Sequence, residues 1–549
     1  MPKNLYYVVV KSDGMFWARQ KKNKEILEEF GKIKKWYFHF EWISTFWDRS
    51  SEKQNEATIS DRTYADLDME ELYMFLDRTS SKVGQQYLYA RLRNPKLAAS
   101  QSNQLEKRIA IITEKEKRQK ACIIALSQLD QIEAFHIAGL FQEEHLAKPK
   151  WFWAIQLLST FSVLTALAAF FVPKVWVALI FLLGINFIVH YWNKNNILQY
   201  ASSIPQLLIL MRVSRELRKL CKEQSPALDE SIQNLDRMSL QLSLFKLDKG
   251  LQSEFAQLID AFLELIRALF MVEPLLFFHT MKKLEYLKSD IQTLFEFVGE
   301  TDMALSVDAL RKTLPYYSHF NARSNEKVLQ ADDIYHPLLL DPVSNSIDLV
   351  GKSVLLTGSN MSGKTTFIRT VGVNALCGMV LNTCFAKSLS MPVMNIHSSI
   401  RISDDLLDEK SYYFEEVNTV KAMLDQSSKD RPTLFLMDEL FKGTNTRERI
   451  AAAKAVLQAL NEGNHLVFIA THDIELTELL QESYDLYHFS EVVEGESIKF
   501  DYLLKPGNLK NTNALRILEL NGFPAHVMKE AYAVLARQKG SDDTDATLN

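Results

Sequence analysis

The chain has 549 residues, of which 47% are hydrophobic and 24% charged, and its formal net charge is −5. This length is sufficient for about two to four domains, each with its own core. A negative net charge excludes a global positive field that attracts nucleic acid or acidic lipid, so such contacts need a local patch. The four cysteines form no CxxC pair, which argues against a disulfide framework or zinc site and favours reduced thiols.

Residues 1–54 form a basic and aromatic N-terminal extension. Its lysines cluster at Lys21, Lys22, Lys24, Lys32, Lys34 and Lys35. Two interpretations stay open: a solvated lysine-rich face, or a surface that contacts anionic lipid or a nucleic-acid backbone.

Residues 55–150 and 193–330 are expected to form the two halves of a long helical arm. Apolar residues recur there at steps of three and four, the periodicity of one helix face: Leu72, Phe75, Leu76, Leu258, Phe262 and Leu265. Glycine and proline are scarce within 66–135 and 197–300, so we expect long helices over these ranges.

Residues 151–192 separate the two halves and predict a transmembrane hairpin. Residues 151–172 and 175–192 carry no Asp, Glu, Lys or Arg, and Pro173-Lys174 lies between them. Each run approaches the roughly 20 apolar residues that a spanning helix needs. Lysines at 148, 150 and 194 flank the hairpin on one side, which places both soluble parts in the cytoplasm at the inner membrane. The alternative is a helical hairpin buried in a soluble core.

A phosphate-binding loop is predicted where the second half of the arm ends. The buried-strand run Val354-Leu355-Leu356 and Thr357 are followed by Gly358, Ser359, Asn360, Met361, Ser362, Gly363, Lys364, Thr365 and Thr366. This is G-x-x-x-x-G-K-[ST] between a strand and a helical pattern. The backbone N–H groups and the helix N-terminus would bind phosphate oxygens. Lys364 would neutralise the β- and γ-phosphates of ATP, and Thr365 would ligate Mg²⁺.

Two further strands end in residues suited to ATP hydrolysis. The run Thr433-Leu-Phe-Leu-Met ends at Asp438 and Glu439, and Val467-Phe-Ile-Ala-Thr471 ends at His472. Asp438 is expected to hold Mg²⁺, and Glu439 to orient and polarise the attacking water. His472 is a candidate sensor of the γ-phosphate. The three motifs in this order predict an ATPase.

These motifs resemble those of the MutS mismatch-repair family. TGSNMSGKTT is similar to T-G-P-N-M-x-G-K-S-T, LFLMDELFKGTNTRE to L-x-L-x-D-E-x-G-R-G-T-S-T, and ATHDIELTELL to A-T-H-x-x-E-L-x-x-L. Residues 401–424 resemble the segment with S-T-F-x-x-E-M, residues 334–337 the R-H-P that opens the ATPase domain, and residues 76–95 the start of the lever domain. The segment GNLKNTNALRILELNGFPAHVMKEA resembles the closing segment that packs across the dimer.

The resemblance implies an ABC-class α/β P-loop ATPase domain at residues 331–535, which ends in a dimerisation segment, and a lever at 55–150 and 193–330. It implies a homodimer in which Asn360, Lys364, Thr365, Asp438, Glu439 and His472 act on ATP bound by their own chain. Ser411 would reach the γ-phosphate of the partner's nucleotide, and Gly443, Thr444 and Asn445 would lie at the dimer seam. Residues 536–549 are expected to form a disordered tail.

Several features depart from the family pattern. We expect no mismatch-recognition or connector domain, because residues 1–54 are too short for both, and the hairpin stands where the family has its DNA clamp. Phe441-Lys442 replaces Gly-Arg before Gly443, and no aromatic residue lies near 343–345, where the family often stacks adenine.

The leading interpretation is therefore a membrane-anchored MutS-like ATPase that acts on DNA, by mismatch or DNA-structure binding, or on an unknown protein partner. The alternatives are a nucleotide-gated membrane scaffold and a transport-associated ATPase without a DNA role. Two apolar helices per chain offer no obvious transport pathway.

Overall fold

The computed structural model describes residues 17–18, 20–35, 37–54, 58–95, 99–200, 202–223, 225–243, 254–324, 326–359, 361–401, 412–427, 431–494, 497–509, 514–520 and 522–545. The chain divides into two compact units. Unit 1 takes in residues 1–54, 76–91 and 104–312, and unit 2 takes in residues 55–75, 92–103 and 313–549.

The described residues up to 312 are mainly helical. After a helical stretch that includes residues 20–29, the α-helices are α1 (Phe40–Ile43), α2 (Thr45–Asp48), α3 (Asp61–Asp66), α4 (Met69–Leu76), α5 (Lys82–Arg93), α6 (Ala99–Thr113), α7 (Glu116–Leu126), α8 (Gly139–Gln142), α9 (Phe152–Ala169), α10 (Trp176–Leu198), α11 (Ser203–Cys221), α12 (Pro226–Asp236), α13 (Ser239–Ser243), α14 (Glu254–Leu269), α15 (Val272–Tyr286) and α16 (Lys288–Arg311). Short 3₁₀ turns cover Ser51–Gln54, Ser127–Leu129, Ile132–Ile137 and Pro173–Val175.

The expected long helices are divided into shorter ones. The break at Asp77 has a clear physical cause, because its carboxylate accepts hydrogen bonds from Thr79 N at 2.9 Å and Gln85 Nε2 at 2.7 Å. Side-chain acceptors of this kind compete with helical hydrogen bonding. The sequence carries no glycine or proline at this point to indicate the break. The expected long helices over 66–135 and 197–300 are therefore each divided into several helices.

Two helices of unit 1, α9 and α10, form the hairpin predicted from the uncharged runs. The turn at Pro173–Val175 joins them, and the rings of Trp151 and Trp192 meet at the open end with centroids 4.8 Å apart. Inside the hairpin, Asn186 Nδ2 donates to Ser162 Oγ at 2.8 Å. By length and composition both helices could cross a membrane, and only 17% of each apolar window is buried.

Unit 2 is built on two β-sheets. Its strands are β1 (Phe320–Arg323), β2 (Val328–Ile334), β3 (Asn345–Val350), β4 (Ser353–Thr357), β5 (Ser388–Pro392), β6 (Asn395–Ser399), β7 (Thr433–Asp438), β8 (Leu466–Ala470), β9 (Tyr484–His488), β10 (Glu491–Glu494), β11 (Ser497–Phe500) and β12 (Lys505–Pro506). The larger sheet has the order β12-β9-β4-β8-β7-β6 and is parallel except at β12; the smaller has the order β1-β5-β2-β3. A β10–β11 hairpin stands apart.

The remaining helices of unit 2 are α17 (Lys364–Leu381), α18 (Tyr412–Ser427), α19 (Thr446–Leu460), α20 (Glu475–Leu480), α21 (Ala514–Leu520) and α22 (Ala525–Asp545). The central strands β4 and β8 are buried along their whole length, as their continuous apolar runs predict for a parallel sheet covered on both faces. Helix α22 continues to Asp545, so the segment expected to be a disordered tail is helical up to that residue.

Unit 2 includes a segment expected to belong to the helical arm. The buried Asp66 carboxylate at the end of α3 accepts hydrogen bonds from Ser398 Oγ at 2.6 Å, Ile400 N at 3.0 Å and Arg401 N at 2.8 Å. Asp68 pairs with Arg369 at 2.8 Å and with Arg401 at 2.7 Å. Residues 55–75 thus complete the edge of the larger sheet beyond β6, which places them outside the predicted boundary at residue 331.

We predict that Asp66→Ala lowers the free energy of unfolding of unit 2 by about 2–4 kcal/mol, because it leaves two buried N–H groups and a hydroxyl without an acceptor. Urea denaturation and faster amide hydrogen exchange in residues 395–401 would report the loss. The matched control is Glu70→Ala, a truncation of an exposed acidic side chain on α4. Equal stability of the two variants would contradict this role of Asp66.

Candidate nucleotide-binding site

The ends of three adjacent parallel strands define the site. The register pairs Leu356 of β4 with Ala470 of β8, and Ala470 with Asp438 of β7. The loops that follow the three strands therefore leave the sheet at the same edge, where parallel α/β sheets bind ligands. This brings together the three motifs that the sequence predicts to act on ATP.

The loop from Gly358 to Gly363 has the backbone of a phosphate cradle. Gly358 and Gly363 have φ angles of +148° and +108°, which side-chain-bearing residues rarely adopt. A Cβ atom on Gly358 would lie 2.6 Å from the carbonyl oxygen of Phe489. Gly363 is the N-cap of α17, so the open N–H groups of the first helical turn face the loop. Ser359 Oγ donates to Glu491 at 2.8 Å and anchors the loop.

Lys364 points back into this loop. Its Nζ donates to the carbonyl oxygens of Gly358 at 2.7 Å and Ser359 at 2.9 Å. Burial lowers the pKa of Lys364, and the nearby carboxylates of Asp438 and Glu439 oppose that shift. The ammonium group is thus a buried positive charge at the place where an anionic group would enter.

Thr365 and Asp438 meet across the edge of the sheet. Thr365 Oγ1 donates to Asp438 Oδ2 at 2.6 Å. A hydroxyl and a carboxylate oxygen are hard ligands of the kind that Mg²⁺ takes in small number, with phosphate oxygens and water completing its shell. Among the described residues no group of three or more His, Cys, Asp or Glu side chains could hold a metal by itself. The pair therefore fits a metal that arrives with a nucleotide.

Glu439 is held in a strained backbone conformation beside two basic groups. Its φ is +54°, and its N–H donates to Ala470 O at 2.8 Å. Its carboxylate lies 3.2 Å from His472 Nε2 and 3.1 Å from Lys442 Nζ. The hydrogen bond with His472 is the largest cause that lowers the pKa of Glu439 to about 2. Glu439 is therefore a carboxylate at neutral pH, able to accept a proton or a hydrogen bond from water.

His472 joins this carboxylate to the phosphate loop, because its Nε2 also lies 3.5 Å from Lys364 Nζ. The next residue, Asp473, pairs with Arg449 of α19 at 2.9 Å and so fixes the turn after β8. The structure thus brings Lys364, Thr365, Asp438, Glu439 and His472 into one cluster, as their motifs predict.

A cavity of about 600 Å³ extends from this cluster over the loop. Val343, Asn345 and Tyr502 also line it, and the Tyr502 ring lies beside Gly363, where an added Cβ atom would be 3.3 Å from its Cδ1 atom. Tyr502 is 45% exposed, and its carbonyl oxygen accepts a hydrogen bond from Asn345 Nδ2 at 3.0 Å. No aromatic residue near 343–345 had been found in the sequence; the structure supplies one from a segment that follows β11.

The cavity fits a nucleoside triphosphate in both size and chemistry. Ser359, Met361, Ser362, Gly363, Lys364, Thr365 and Thr366 all line it. The buried Ser362 Oγ has no hydrogen-bond partner in the part of the chain that the structure describes, so a phosphate oxygen could accept a hydrogen bond from this hydroxyl. The cluster of cations and N–H groups is matched to phosphate, and the ring of Tyr502 in the lining offers an aromatic surface to a base.

Two predicted site residues, Asn360 and Ser411, lie outside the described residues. Five residues after Ser411 in the sequence, the buried Glu416 accepts a hydrogen bond from Phe441 N, and this contact joins α18 to the loop after β7. Asn445 caps α19 by accepting from Arg447 N at 3.0 Å. The roles of Gly443, Thr444 and Asn445 at a dimer seam remain predictions.

Sequence reasoning missed three contributors, namely Tyr502, Glu491 and Lys442. None belongs to a motif with fixed spacing, and Tyr502 and Glu491 come from the region after β9, far along the chain from the loop. Lys442 follows Glu439 by three residues, a spacing that could have indicated the ion pair between them. The four cysteines are free and buried.

Comparison with known proteins finds relatives of the region that carries this site. Residues 354–539 match the family model for MutS domain V. The chain is 30% identical over 243 residues to the DNA mismatch repair protein MutS of Thermus aquaticus, which covers 43% of this chain and 30% of that protein. It is 31% identical over 208 residues to that of Listeria monocytogenes, covering 36% and 24%, and 32% identical over 198 residues to that of Aquifex pyrophilus, covering 35% and 23%.

Each match covers less than a third of the relative's length. Within this chain the matches converge on the unit that carries the phosphate loop and the two strand-end motifs. Residues 354–539 are therefore similar to MutS domain V, while the chain spans less than a third of the length of these relatives.

Proposed function

We propose that this protein is a membrane-anchored MutS-family ATPase that binds and hydrolyses ATP at a homodimer interface and acts on DNA. One observation carries the ATPase part: a buried lysine, a hydroxyl–carboxylate pair and an ionised glutamate meet at one sheet edge beside a cavity of nucleotide size.

Each residue then has a distinct task. When the triphosphate enters, the Lys364 ammonium group donates hydrogen bonds to phosphate oxygens in place of the Gly358 and Ser359 carbonyl oxygens. Phosphate oxygens are the stronger acceptors because they are charged. Thr365 and Asp438 would hold Mg²⁺, which neutralises phosphate charge when it is bound. Glu439 orients a water molecule and accepts its proton, and His472 fixes the carboxylate and faces the γ-phosphate. Asn360 and Ser411, the latter from the partner subunit's loop, complete this assignment as proposals from the resemblance.

The membrane anchor is proposed from the surface of α9 and α10. Both helices lack charged side chains except at Lys194, and in the connection between them Phe170 and Phe171 are 85% and 88% exposed. A large exposed apolar surface is costly in water and matches the acyl region of a bilayer. The flanking lysines orient both soluble units toward the cytoplasm at the inner membrane.

The dimer and the DNA role follow from the family. The relatives are named as DNA mismatch repair proteins, and nucleotide bound between two subunits would make closure of the dimer depend on ATP. Mismatch specificity is the narrower form of this proposal and DNA-structure binding is the broader one.

We predict that Glu439→Gln lowers kcat for ATP hydrolysis by roughly 10²–10⁴-fold, because the amide cannot accept the proton of water. The Kd for ATP is expected to change little, since Lys364 and the loop remain. Steady-state hydrolysis and nucleotide-binding titration would measure the two effects. Glu478→Gln, an exposed change on α20, is the control, and wild-type turnover by Glu439→Gln would refute the assignment.

We predict that Tyr502→Ala raises the Kd for ATP roughly tenfold or more, because loss of base–aromatic stacking costs about 1–3 kcal/mol. Tyr502→Phe keeps the ring and is expected to bind as the wild type does. Isothermal titration with ATP and with inorganic triphosphate would separate base contacts from phosphate contacts. If Tyr502→Ala weakened both ligands equally, Tyr502 would have no role in base binding.

The DNA role is tested by titrating the full chain in nanodiscs against homoduplex, mismatched and branched DNA, with and without ATP, at a fixed salt concentration. We expect ATP-dependent binding, strongest to one of the last two substrates. Lys364→Ala, which cannot neutralise the phosphates, is the nucleotide-free control. Absence of DNA binding, with ATP-dependent dimerisation intact, would instead support a nucleotide-gated scaffold or a transport-associated ATPase.

A further inference from the structure

A second helical hairpin, formed by α14 and α15, packs against α9 and α10. Helix α10 contacts both α14 and α15, and α9 contacts α15. The ring of Phe278 on α15 lies 5.6 Å from Phe152 and 6.2 Å from Trp192, measured between centroids. The apolar hairpin is therefore part of a four-helix assembly within unit 1.

The tip of the second hairpin is hydrogen-bonded to the first. Helix α14 ends at Leu269, and Met271 then turns the chain with a φ of +55°. Asn186 Nδ2 donates to Leu269 O at 2.7 Å, and Ser159 Oγ donates to Phe270 O at 2.8 Å. Carbonyl groups at a helix end lack partners within the helix. In hydrocarbon, such a turn is tolerated only where protein groups satisfy its polar atoms, and these two polar side chains do so.

The position of Asn186 sets the depth of this tip. Asn186 precedes Trp192 by six residues, which is about 9 Å along a helix, and follows Trp176 by ten residues, or about 15 Å. Trp192 packs on Trp151 at the open end of the hairpin, and Trp176 lies at the turn. The tip of the second hairpin therefore lies between the two aromatic ends, at the level of the uncharged runs.

Charged residues of the second hairpin are gathered nearer the open end. On α10, His190 lies 3.8 Å from Glu264 and 3.6 Å from Glu273, and Lys194 pairs with Glu264. Arg267 lies 3.9 Å from Glu273. The tip residues Leu269–Val272 carry no charge, and Arg267 and Glu273, which pair with each other, border them along the chain.

Three of the exposed described side chains of the second hairpin are apolar, and Arg267 on α14 is exposed beside them. Phe262, Leu265 and Val272 are exposed on α14 and α15, next to the exposed apolar surface of α10. A lysine-and-carboxylate layer with an uncharged tip beyond it matches the order of headgroups and acyl chains in a bilayer.

We propose that α14 and α15 enter the same bilayer as α9 and α10, as a re-entrant hairpin whose tip, residues 270–272, lies among the acyl chains. This inference rests on the proposed membrane anchor and extends it, because it makes lipid a direct contact of the helical arm. The membrane-embedded part then has four helices, two that span and two that turn back.

Single cysteines test the depth of the tip. All four native cysteines are buried, so added ones can be labelled selectively. We would compare Val272→Cys at the tip with Tyr286→Cys at the other end of α15, which is 73% exposed, and with Leu164→Cys in α9. Phe270→Cys provides a second tip position. The full chain is placed in nanodiscs and treated with a water-soluble maleimide.

We expect Val272→Cys and Leu164→Cys to react at least about tenfold more slowly than Tyr286→Cys, because a thiol in hydrocarbon does not ionise to the reactive thiolate. Spin labels at 270 and 272 are expected to collide more with oxygen than with a water-soluble nickel chelate. Protection by a second copy or another protein would reduce both collision rates and would overturn the proposal.

The other outcomes separate this inference from the anchor itself. If Leu164→Cys is protected while Val272→Cys reacts as fast as Tyr286→Cys, the re-entrant hairpin is wrong and the anchor stands. If Leu164→Cys and Val272→Cys both react as fast as Tyr286→Cys, the membrane anchor is wrong and the re-entrant hairpin falls with it.

Discussion

The parallel register of β4, β8 and β7 is the constraint on which the site depends. It places Leu356, Ala470 and Asp438 side by side, so three loops from distant parts of the chain leave the sheet at one edge. The chemistry then follows from electrostatics. A buried Lys364 is stable there because loop carbonyls and the nearby carboxylates compensate its charge, and Glu439 is ionised because His472 and Lys442 flank it.

The strand ends could be predicted from sequence because each carries its own signal, an apolar run followed by a polar residue. Lys364, Thr365, Asp438, Glu439 and His472 were found in this way. Tyr502 and Glu491 could not be, because their place in the site depends on how β9 to β12 return to the sheet. The division of the helical arm at Asp77 could not be predicted for a related reason. The helix is interrupted by a side-chain acceptor and not by glycine or proline.

The helices of unit 1 show the same difference between local and tertiary signals. Helices α9 and α10 are evident from the absence of charge alone. Helices α14 and α15 carry Glu264, Arg267 and Glu273, so their mean hydropathy does not identify them as membrane helices. Only the folded arrangement reveals that Glu264 and Glu273 face His190, and that Lys194 pairs with Glu264. The polar side chains within the uncharged runs, Ser159 and Asn186, are likewise explained only by the carbonyl groups they bind.

The contact between Asp66 and Ser398 joins residues 332 positions apart. During synthesis, α3 leaves the ribosome long before the sheet whose edge it completes, and the whole helical arm with its apolar hairpin is made in between. Domains generally fold as units in the order of their synthesis, yet unit 2 needs both ends of the chain. Its last folding step must therefore wait until the hairpin has been synthesised, so that the edge of the larger sheet is completed only on a chain that already carries the apolar hairpin.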